Sequence, residues 1–387
     1  MYPNLYYAFE DLFGIQLEPL RFVNSFGFFV AIAFIAAAAI LTSELKRKSK
    51  EGLLFPTEEE VIVGRPVTAG ELISNFILGF ILGYKILALF FLDAEVTQDP
   101  QAFIFSGMGS WPLGIALGLL FAGLKWWEKK KQQLPKPEKR KIRVWPHDRV
   151  GEITILALIF GLIGAKLFDI FENWSDFVKH PSDYILSPAG LTFYGGLILA
   201  AIAIILYARK NKIGVRHLAD ALAPALMLAY AIGRIGCHVS GDGDWGIANE
   251  APNPVGFLPD WLWSYNYPNN VNEAGVPIPG CVGRYCNQLP VGHFPTPIYE
   301  TIVCTILFFV LWAVRKTIRP FGALFALYLI LNGLERFFIE KIRVNIKMDF
   351  MGLTVTQAEI ISVGLVIVGI VLWVFLAKKY PLKTETQ

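Results

Sequence analysis

Apolar blocks of about twenty residues recur along the chain, at about 24–42, 71–92, 106–125, 152–171, 190–208, 216–236, 296–314, 322–340 and 358–377. A helix of that length crosses the hydrocarbon core of a bilayer. Barrel strands would alternate apolar and polar positions over about ten residues, and these blocks do not. The pattern predicts an all-α polytopic membrane protein with about nine transmembrane helices, organised as a single integral membrane domain over 1–387. Its parts are a first helix at 24–42, two helical hairpins at 70–125 and 151–206, a long polar stretch at 237–295 and three C-terminal helices within 296–378. The polar stretch is rich in Pro, Asn, Gly and Trp (APNPVGFLPDWLWSYNYPNN) and reads as a small irregular head.

Composition agrees. Of 387 residues 54% are hydrophobic, 14% aromatic and only 17% charged, below the roughly 25% charged residues of soluble domains. The net charge of +3 matters less than its placement. Lys and Arg cluster at 46–50, 125–143, 208–212, 315–319 and 378–383. Basic flanks resist translocation, so these loops are expected in the cytoplasm, with the N-terminus outside and the C-terminus inside. Loops 93–105, 172–189 and 237–295 are then outside. EKIRVNIK at 340–347 fits poorly, because this outer loop carries three basic residues; a patch for an anionic head group is one explanation and chance the other. Basic runs beside membrane helices are accounted for by topology and anionic lipid, so no nucleic-acid partner is expected. The first twenty residues lack a basic start and a separate short apolar core, so no cleavable signal peptide is expected.

The hairpin 70–125 repeats 151–206 at a fixed offset of 81 residues. GEL at 70–72 matches GEI at 151–153, Gly83 matches Gly164, Lys85 matches Lys166 and Phe90 matches Phe171. Pro100, Ser106, Gly109 and Gly114 match Pro181, Ser187, Gly190 and Gly195. The two copies lie parallel in the membrane, unlike the inverted repeats of many transporters.

Ionisable residues in membrane spans cost about 2.5–3.5 kcal/mol each on insertion scales and so usually face protein or water. The candidates within the expected spans are Lys85, Lys166, Asp169, Asp220, Arg234, Glu300, Glu335, Arg336 and Glu340. The charge topology gathers Arg234, Arg336, Glu300, Tyr194 and Lys166 in the outer half of the bilayer. Asp220 is about four helical turns from Arg234 and belongs to the cytoplasmic side. Arg336 and Glu340, at i and i+4, can simply neutralise each other. Lys166 can snorkel, and Tyr194 and Tyr299 can be interfacial aromatics. Two arginines at one depth, however, suit a phosphate, which guanidinium grips through paired donors.

The densest polar stretch is GRIGCHVSGDGDWG at 233–246, directly after an apolar run. It resembles the signature G-R-x-G-N-F-x-N-x-E-x-x-G of the prolipoprotein diacylglyceryl transferase family. Gly233, Arg234, Gly236 and Gly246 are kept. Cys237 stands where Asn is usual and Ser240 where a second Asn is common. One extra residue leaves open whether Asp242 or Asp244 stands for the family's Glu. DALAP at 220–224, GLIGAKLF at 161–168, HFPTPIYE at 293–300, FGALFALYLILNGLERFFIEKIR at 321–343, TQAEIIS at 356–362 and SFGFF at 25–29 are similar to further family segments. The resemblance covers spans one and four to nine, which makes 70–125 an inserted hairpin beside seven family helices.

The resemblance implies transfer of the diacylglyceryl group of phosphatidylglycerol to the lipobox cysteine thiol of a preprolipoprotein, in the bacterial cytoplasmic (inner) membrane, with the site toward the outer leaflet. It implies phosphate stabilisation by Arg234 and Arg336. Lys166, Ser240, Asp242, Asp244, Gly246, Tyr299, Glu300, Glu340 and Arg343 are the implied substrate-binding set. The family's His-Gly-Gly motif is here LTFYGG, with Tyr194 in place of the proposed base. Tyr194, His238 and His293 compete for that role, and the ordinary pKa of tyrosine, about 10, favours His238. No cofactor and no metal set is expected, because the five histidines are scattered along the chain. Cys281 and Cys286, spaced C-x4-C, are a disulfide or free thiols. Two other readings remain: a catalytically silent relative that binds lipid or precursor protein, and a small-solute transporter, which only Asp220 suggests.

Overall fold

The computed structural model describes all residues except 92–102, 104–105, 180, 182–191, 346, 351 and 382–387. Pro100, Ser187 and Gly190 of the repeat lie outside the described residues. The protein is all-α and polytopic. Six helical segments among the described residues are long and apolar enough to cross a membrane: Ser25–Lys50, Ala69–Phe90, Pro146–Glu172, Val215–Ser240, Thr296–Val314 and Gln357–Lys379. Helices Trp111–Gln132, Phe193–Lys210 and Ala323–Glu340 lie over the other three expected spans.

In chain order the helices are α1 (Leu5–Phe13), α2 (Ser25–Lys50), α3 (Ala69–Ile81), α4 (Trp111–Gln132), α5 (Val150–Glu172), α6 (Trp174–Lys179), α7 (Phe193–Lys210), α8 (Val215–Ser240), α9 (Asp260–Trp263), α10 (Thr296–Val314), α11 (Ala323–Glu340) and α12 (Gln357–Lys379). Helix α3 runs on through π and 3-10 turns to Phe90. Apolar patterning alone gives one membrane domain, whereas the chain packs as two compact units. One holds 1–3, 25–55 and 145–387, and the other holds 4–24 and 56–144.

In the larger unit α8 is central because two of its faces are apolar. Leu218, Ala221 and Ala225 pack with Leu41 and Leu45 of α2 and Ile153 of α5. Ala223, Met227 and Ala231 pack with Cys304, Phe308 and Leu311 of α10 and Leu324 of α11. Asp220 of α8 accepts from the backbone N–H of Gly322 (2.8 Å) and Phe325 (3.2 Å). It thereby satisfies donors at the start of α11 that the helix itself cannot pair. Helix α12 begins with a capping box, in which Thr356 and Glu359 bond each other's backbone N–H at 3.2 and 3.0 Å. Helices α11 and α12 approach closely at glycine: a Cβ on Gly333 would stand 2.7 Å from the Ser362 carbonyl.

The smaller unit pairs α3 with α4 beside a two-stranded ribbon, β1 (Thr57–Val63) against β2 (Glu138–Val144). The contact positions Gly83 and Gly114 stand 81 residues before Gly164 and Gly195, which make the α5–α7 contact in the larger unit. A Cβ on Gly83 would overlap the Leu113 carbonyl, and one on Gly164 the Gly195 carbonyl. Lys85 Nζ donates to the carbonyls of Phe103 (2.8 Å), Ser106 (2.7 Å) and Met108 (2.8 Å). A lysine can enter an apolar unit there because backbone oxygen replaces its water.

Between α8 and α10 the chain is irregular apart from α9 and the short strands β3 (Val276–Pro277) and β4 (Asn287–Gln288). A disulfide joins Cys281 and Cys286, whereas Cys237 and Cys304 are free and buried.

Candidate functional site: an arginine and carboxylate cluster

Three helix ends build the site. The last turns of α8 present Tyr230, Arg234 and His238, four residues apart and so on one helix face. The first turns of α10 supply Glu300, and the last turns of α11 supply Arg336 and Glu340. Arg343 follows two turns past the start of that set. Its segment pairs with Gly246 through an isolated bridge, and Ile247 N–H donates to the Ile342 carbonyl at 2.8 Å. Gly246 must be small here, because a Cβ would stand 2.6 Å from the Ile342 carbonyl.

Glu300 is the hub, with no exposure to solvent. Its Oε2 lies against Arg234 Nε and accepts from Tyr230 Oη at 3.2 Å. Its Oε1 accepts from Arg336 Nη1 at 3.2 Å and from Arg343 Nη1 at 3.1 Å. Asp244 forms the second junction, with Oδ2 accepting from Arg234 Nη1 and Oδ1 from Arg343 Nη2. Arg234 Nη2 donates to Tyr230 Oη at 3.3 Å, and Arg336 Nη2 lies 3.0 Å from Glu340 Oε2. Three guanidiniums are thus matched by three carboxylates. Asp244, 29% exposed, is the most open of them, which puts the mouth of the cluster on its side.

The loop between α8 and Gly246 places Asp244. Gly241 (φ 65°) and Gly243 (φ 98°) take left-handed conformations that favour glycine. The Asp244 carbonyl accepts from Thr296 Oγ1 at 2.6 Å. Burial works against ionisation of Asp244, but Arg234 and Arg343 outweigh it and hold its carboxyl below the ordinary range. Burial and then the Asp244 charge push Asp242 the other way, upward. Burial opposes the Arg343 charge, but Asp244 and Glu300 more than restore it.

The other expected residues are arranged differently. Tyr194 of α7 senses Arg336, Glu340, Arg234 and Arg343 as its charged neighbours. His238 packs tilted against Tyr265 and edge-on to Tyr267, with ring centroids 5.7 and 5.5 Å away, and its Nδ1 has no partner among the described residues. Ser240 is not brought to the cluster; it is fully buried and its hydroxyl donates to the Gly236 carbonyl at 2.8 Å. His293 Nδ1 lies 2.9 Å from the Val291 carbonyl, and Tyr299 Oη donates to the Leu262 carbonyl at 2.7 Å. Lys166 Nζ lies 3.8 Å from Asp169 Oδ2. Tyr230 and Thr296 are contributors that motif reading missed. For Tyr230 the available signal was its place one turn before Arg234.

Among the described residues, Cys237, Asp242 and Asp244 bring ligand-type atoms within 4.8 Å of one another. Arg234 Nη1 already lies against Asp244 and 3.8 Å from Cys237 Sγ. A fixed positive charge at that spot argues against a cation. The cluster is instead suited to an oxyanion: guanidiniums held in place in a partly dry site stabilise developing negative charge without reorganising.

The helices and this cluster define a polytopic membrane protein equipped to handle an anionic group. The sequence profile of the family described as Prolipoprotein diacylglyceryl transferase matches residues 107–375, more than half of the chain, and the protein belongs to that family of lipoprotein-maturation transferases. The matched range starts inside the first hairpin and takes in α4. A phosphatidylglycerol–prolipoprotein diacylglyceryl transferase of Leptospira interrogans is 30% identical over 237 residues, 55% of this chain and 66% of the relative. The chain therefore spans just under two thirds of that relative's length. The transferase of Clostridium novyi is 30% identical over 58% of this chain and 78% of its own. That of Dehalococcoides mccartyi is 26% identical over 74% of this chain and 96% of its own.

Proposed function

We propose that this protein transfers the diacylglyceryl group of phosphatidylglycerol to the lipobox cysteine thiol of a preprolipoprotein, in the bacterial cytoplasmic membrane. The observation that carries the reading is the junction of Arg234, Arg336 and Arg343 on Glu300 and Asp244. The thiol sulfur bonds to a glycerol carbon while the bond from that carbon to a phosphate oxygen breaks. The thioether lipid stays on the precursor, and glycerol phosphate leaves. Arg234 and Arg336 take the charge that develops on the leaving phosphate. Asp244, the most open carboxylate, gives way to the entering phosphodiester, and Arg343 turns with it.

Only the thiolate attacks well, so a base is needed. His238 lies one turn outward of Arg234 on the same helix face, and its Nδ1 has no partner among the described residues. It takes the thiol proton and returns it to the leaving phosphate. Tyr194, beside the arginines, donates a hydrogen bond to the phosphate. Lys166 draws in the anionic head group. The basic loops support an outside N-terminus, a cytoplasmic C-terminus and a cluster toward the outer leaflet, and the resemblance over spans one and four to nine supports reading α3 with α4 as an inserted hairpin.

The test is direct. Purified protein is incubated with phosphatidylglycerol and a lipobox peptide, and the peptide is weighed by mass spectrometry. The expected result is a gain of one diacylglyceryl group that Arg234→Ala abolishes. No gain, with an unrelated active transferase working in parallel, would favour a second reading for which Tyr194 speaks: a relative that binds lipid or precursor without turning it over.

A further inference from the structure

Glu335 stands beside the cluster without joining it. It sits one residue before Arg336 on α11 and is 8% exposed. Neither carboxyl oxygen has a hydrogen-bond partner among the described residues. The titratable groups facing it are Glu300 and Cys304 of α10, Tyr230 and Arg234 of α8, Arg336 of its own helix and Arg343 beyond it. Glu300 is the strongest charge it meets. Cys304, one turn after Glu300 on α10, also has Glu335 among its charged neighbours.

A buried carboxylate with no bond on either oxygen is costly. The three guanidiniums of the cluster are already matched by Glu300, Asp244 and Glu340. A phosphate arriving at Arg234 and Arg336 takes donors from Glu300, which is then a buried anion short of partners. A neutral acid close by can restore one, because two facing carboxyl groups readily share a single proton.

We propose that Glu335 is a positioning residue that keeps its proton and donates it in a hydrogen bond to Glu300 when an anionic phosphate engages the arginines. No covalent bond changes. The Glu335 O–H replaces a guanidinium N–H at Glu300 and is released when the phosphate leaves. The inference rests on the transferase reading for the identity of the anion, with glycerol phosphate as its simplest form.

The experiment uses the full chain in detergent, glycerol phosphate as the ligand and two readouts. Infrared spectroscopy of the wild type should show a protonated carboxyl band that Glu335→Gln removes and that glycerol phosphate shifts. Binding of glycerol phosphate should weaken about tenfold in Glu335→Leu, the loss of a hydrogen bond to a charged group. In Glu335→Gln, whose amide also donates, it should stay within about threefold of wild type. The wild type should lose affinity as pH rises on the alkaline side, and Glu335→Gln should not. A structural role would leave that pH profile unmoved. Absence of the band, an unshifted band, or identical pH profiles with binding intact overturn the role of Glu335 alone. A wild type that binds no glycerol phosphate overturns the transferase reading and the proton-sharing step together. If Glu335→Leu fails to fold, the glutamine variant and the infrared band still decide.

Discussion

The fully buried carboxylate of Glu300 holds Arg234, lying against the Nε of a guanidinium whose side chain is 14% exposed. The same carboxylate binds Arg336 and Arg343. Removing one partner of a buried pair leaves the other charge uncompensated, at a cost of about 3–5 kcal/mol. Glu300→Ala takes one carboxylate from three arginines at once, leaving Asp244 to Arg234 and Arg343 and Glu340 to Arg336. It is expected to lower the thermal midpoint of the detergent-solubilised protein sharply and to abolish peptide modification. Glu300→Gln keeps an acceptor and should be better folded but still inactive. An alanine variant as stable as wild type would show that the cluster does not support the fold.

Arg234 uses each of its nitrogens on a different partner: Nε on Glu300, Nη1 on Asp244 and Nη2 on Tyr230. Lysine keeps the charge but offers one ammonium in place of a planar fork. Arg234→Lys should therefore lower peptide modification by about a hundredfold, the scale for loss of one oriented donor at a developing oxyanion. Arg343→Lys should behave similarly, since Arg343 bridges the same two carboxylates. Retention of most activity in either variant would reduce the cluster to a charge effect.

The sequence carried the company these residues keep better than their wiring. Arg234, Arg336 and Glu300 could be gathered at one level because basic loops fix orientation and helical rise fixes depth. EKIRVNIK stood out as an outer loop that was too basic, and its Arg343 is bonded within the cluster. What could not be read was how one extra residue in GRIGCHVSGDGDWG is absorbed. Counting positions does not separate Asp242 from Asp244. The left-handed turns at Gly241 and Gly243 do, and they carry Asp244 to both arginines. Tyr230 was hidden in an apolar run. Its hydroxyl matters only because α10 brings Glu300 to it, a contact 70 residues away in the chain. Asp220 was recognised as lying apart from the site, but its bonds to Gly322 and Phe325 depend on how α8 meets α11.

Asp242 and Asp244 should separate by pH. Asp244 is held below the ordinary carboxylate range by Arg234 and Arg343 against the effect of burial. Its contribution is present above the unfolded pKa and is lost as pH falls through the lower folded value. Asp244→Asn should therefore destabilise at neutral pH, with a difference that shrinks in acid. Asp242 is raised, first by burial and then by Asp244. Its ionisation weakens the fold as pH rises from the unfolded to the folded value, and the full penalty stands above the latter. Asp242→Asn should match or exceed wild-type stability at neutral pH and lose that advantage in acid. Thermal unfolding of both variants across acid to neutral pH checks the two signs. Parallel behaviour would mean that the two carboxylates share one environment.

The glycine contacts make a packing prediction that does not depend on the chemistry. A Cβ on Gly164 would overlap the Gly195 carbonyl, and one on Gly195 the Gly164 carbonyl, so α5 and α7 touch backbone to backbone. Gly164→Leu must push α7 outward and shift Tyr194, which lies one residue before Gly195. Modification should fall with stability. The matching change in the smaller unit, Gly83→Leu, breaks the same kind of contact between α3 and α4 and should cost stability while sparing the cluster. Equal loss of activity per degree of lost stability in both variants would count against a local effect on Tyr194.

The choice among candidate bases turns on which nitrogen or hydroxyl is uncommitted. His293 has Nδ1 against the Val291 carbonyl, and its backbone pairs with Tyr265. His238 keeps a buried Nδ1 with no partner among the described residues and packs against two tyrosines, one turn after Arg234 on the same helix. His238→Gln keeps the polarity but cannot take a proton. It should lower the rate constant for modification by about 10²–10⁴-fold, the range for losing a positioned base, with little change in the Michaelis constant for phosphatidylglycerol. Tyr194→Phe removes one hydrogen bond to the phosphate and should cost about tenfold. His293→Gln should stay within about twofold. Rates measured at saturating lipid separate these ranks. If Tyr194→Phe were the most damaging and His238→Gln near wild type, the proton would leave through the residue that stands in the family's histidine place.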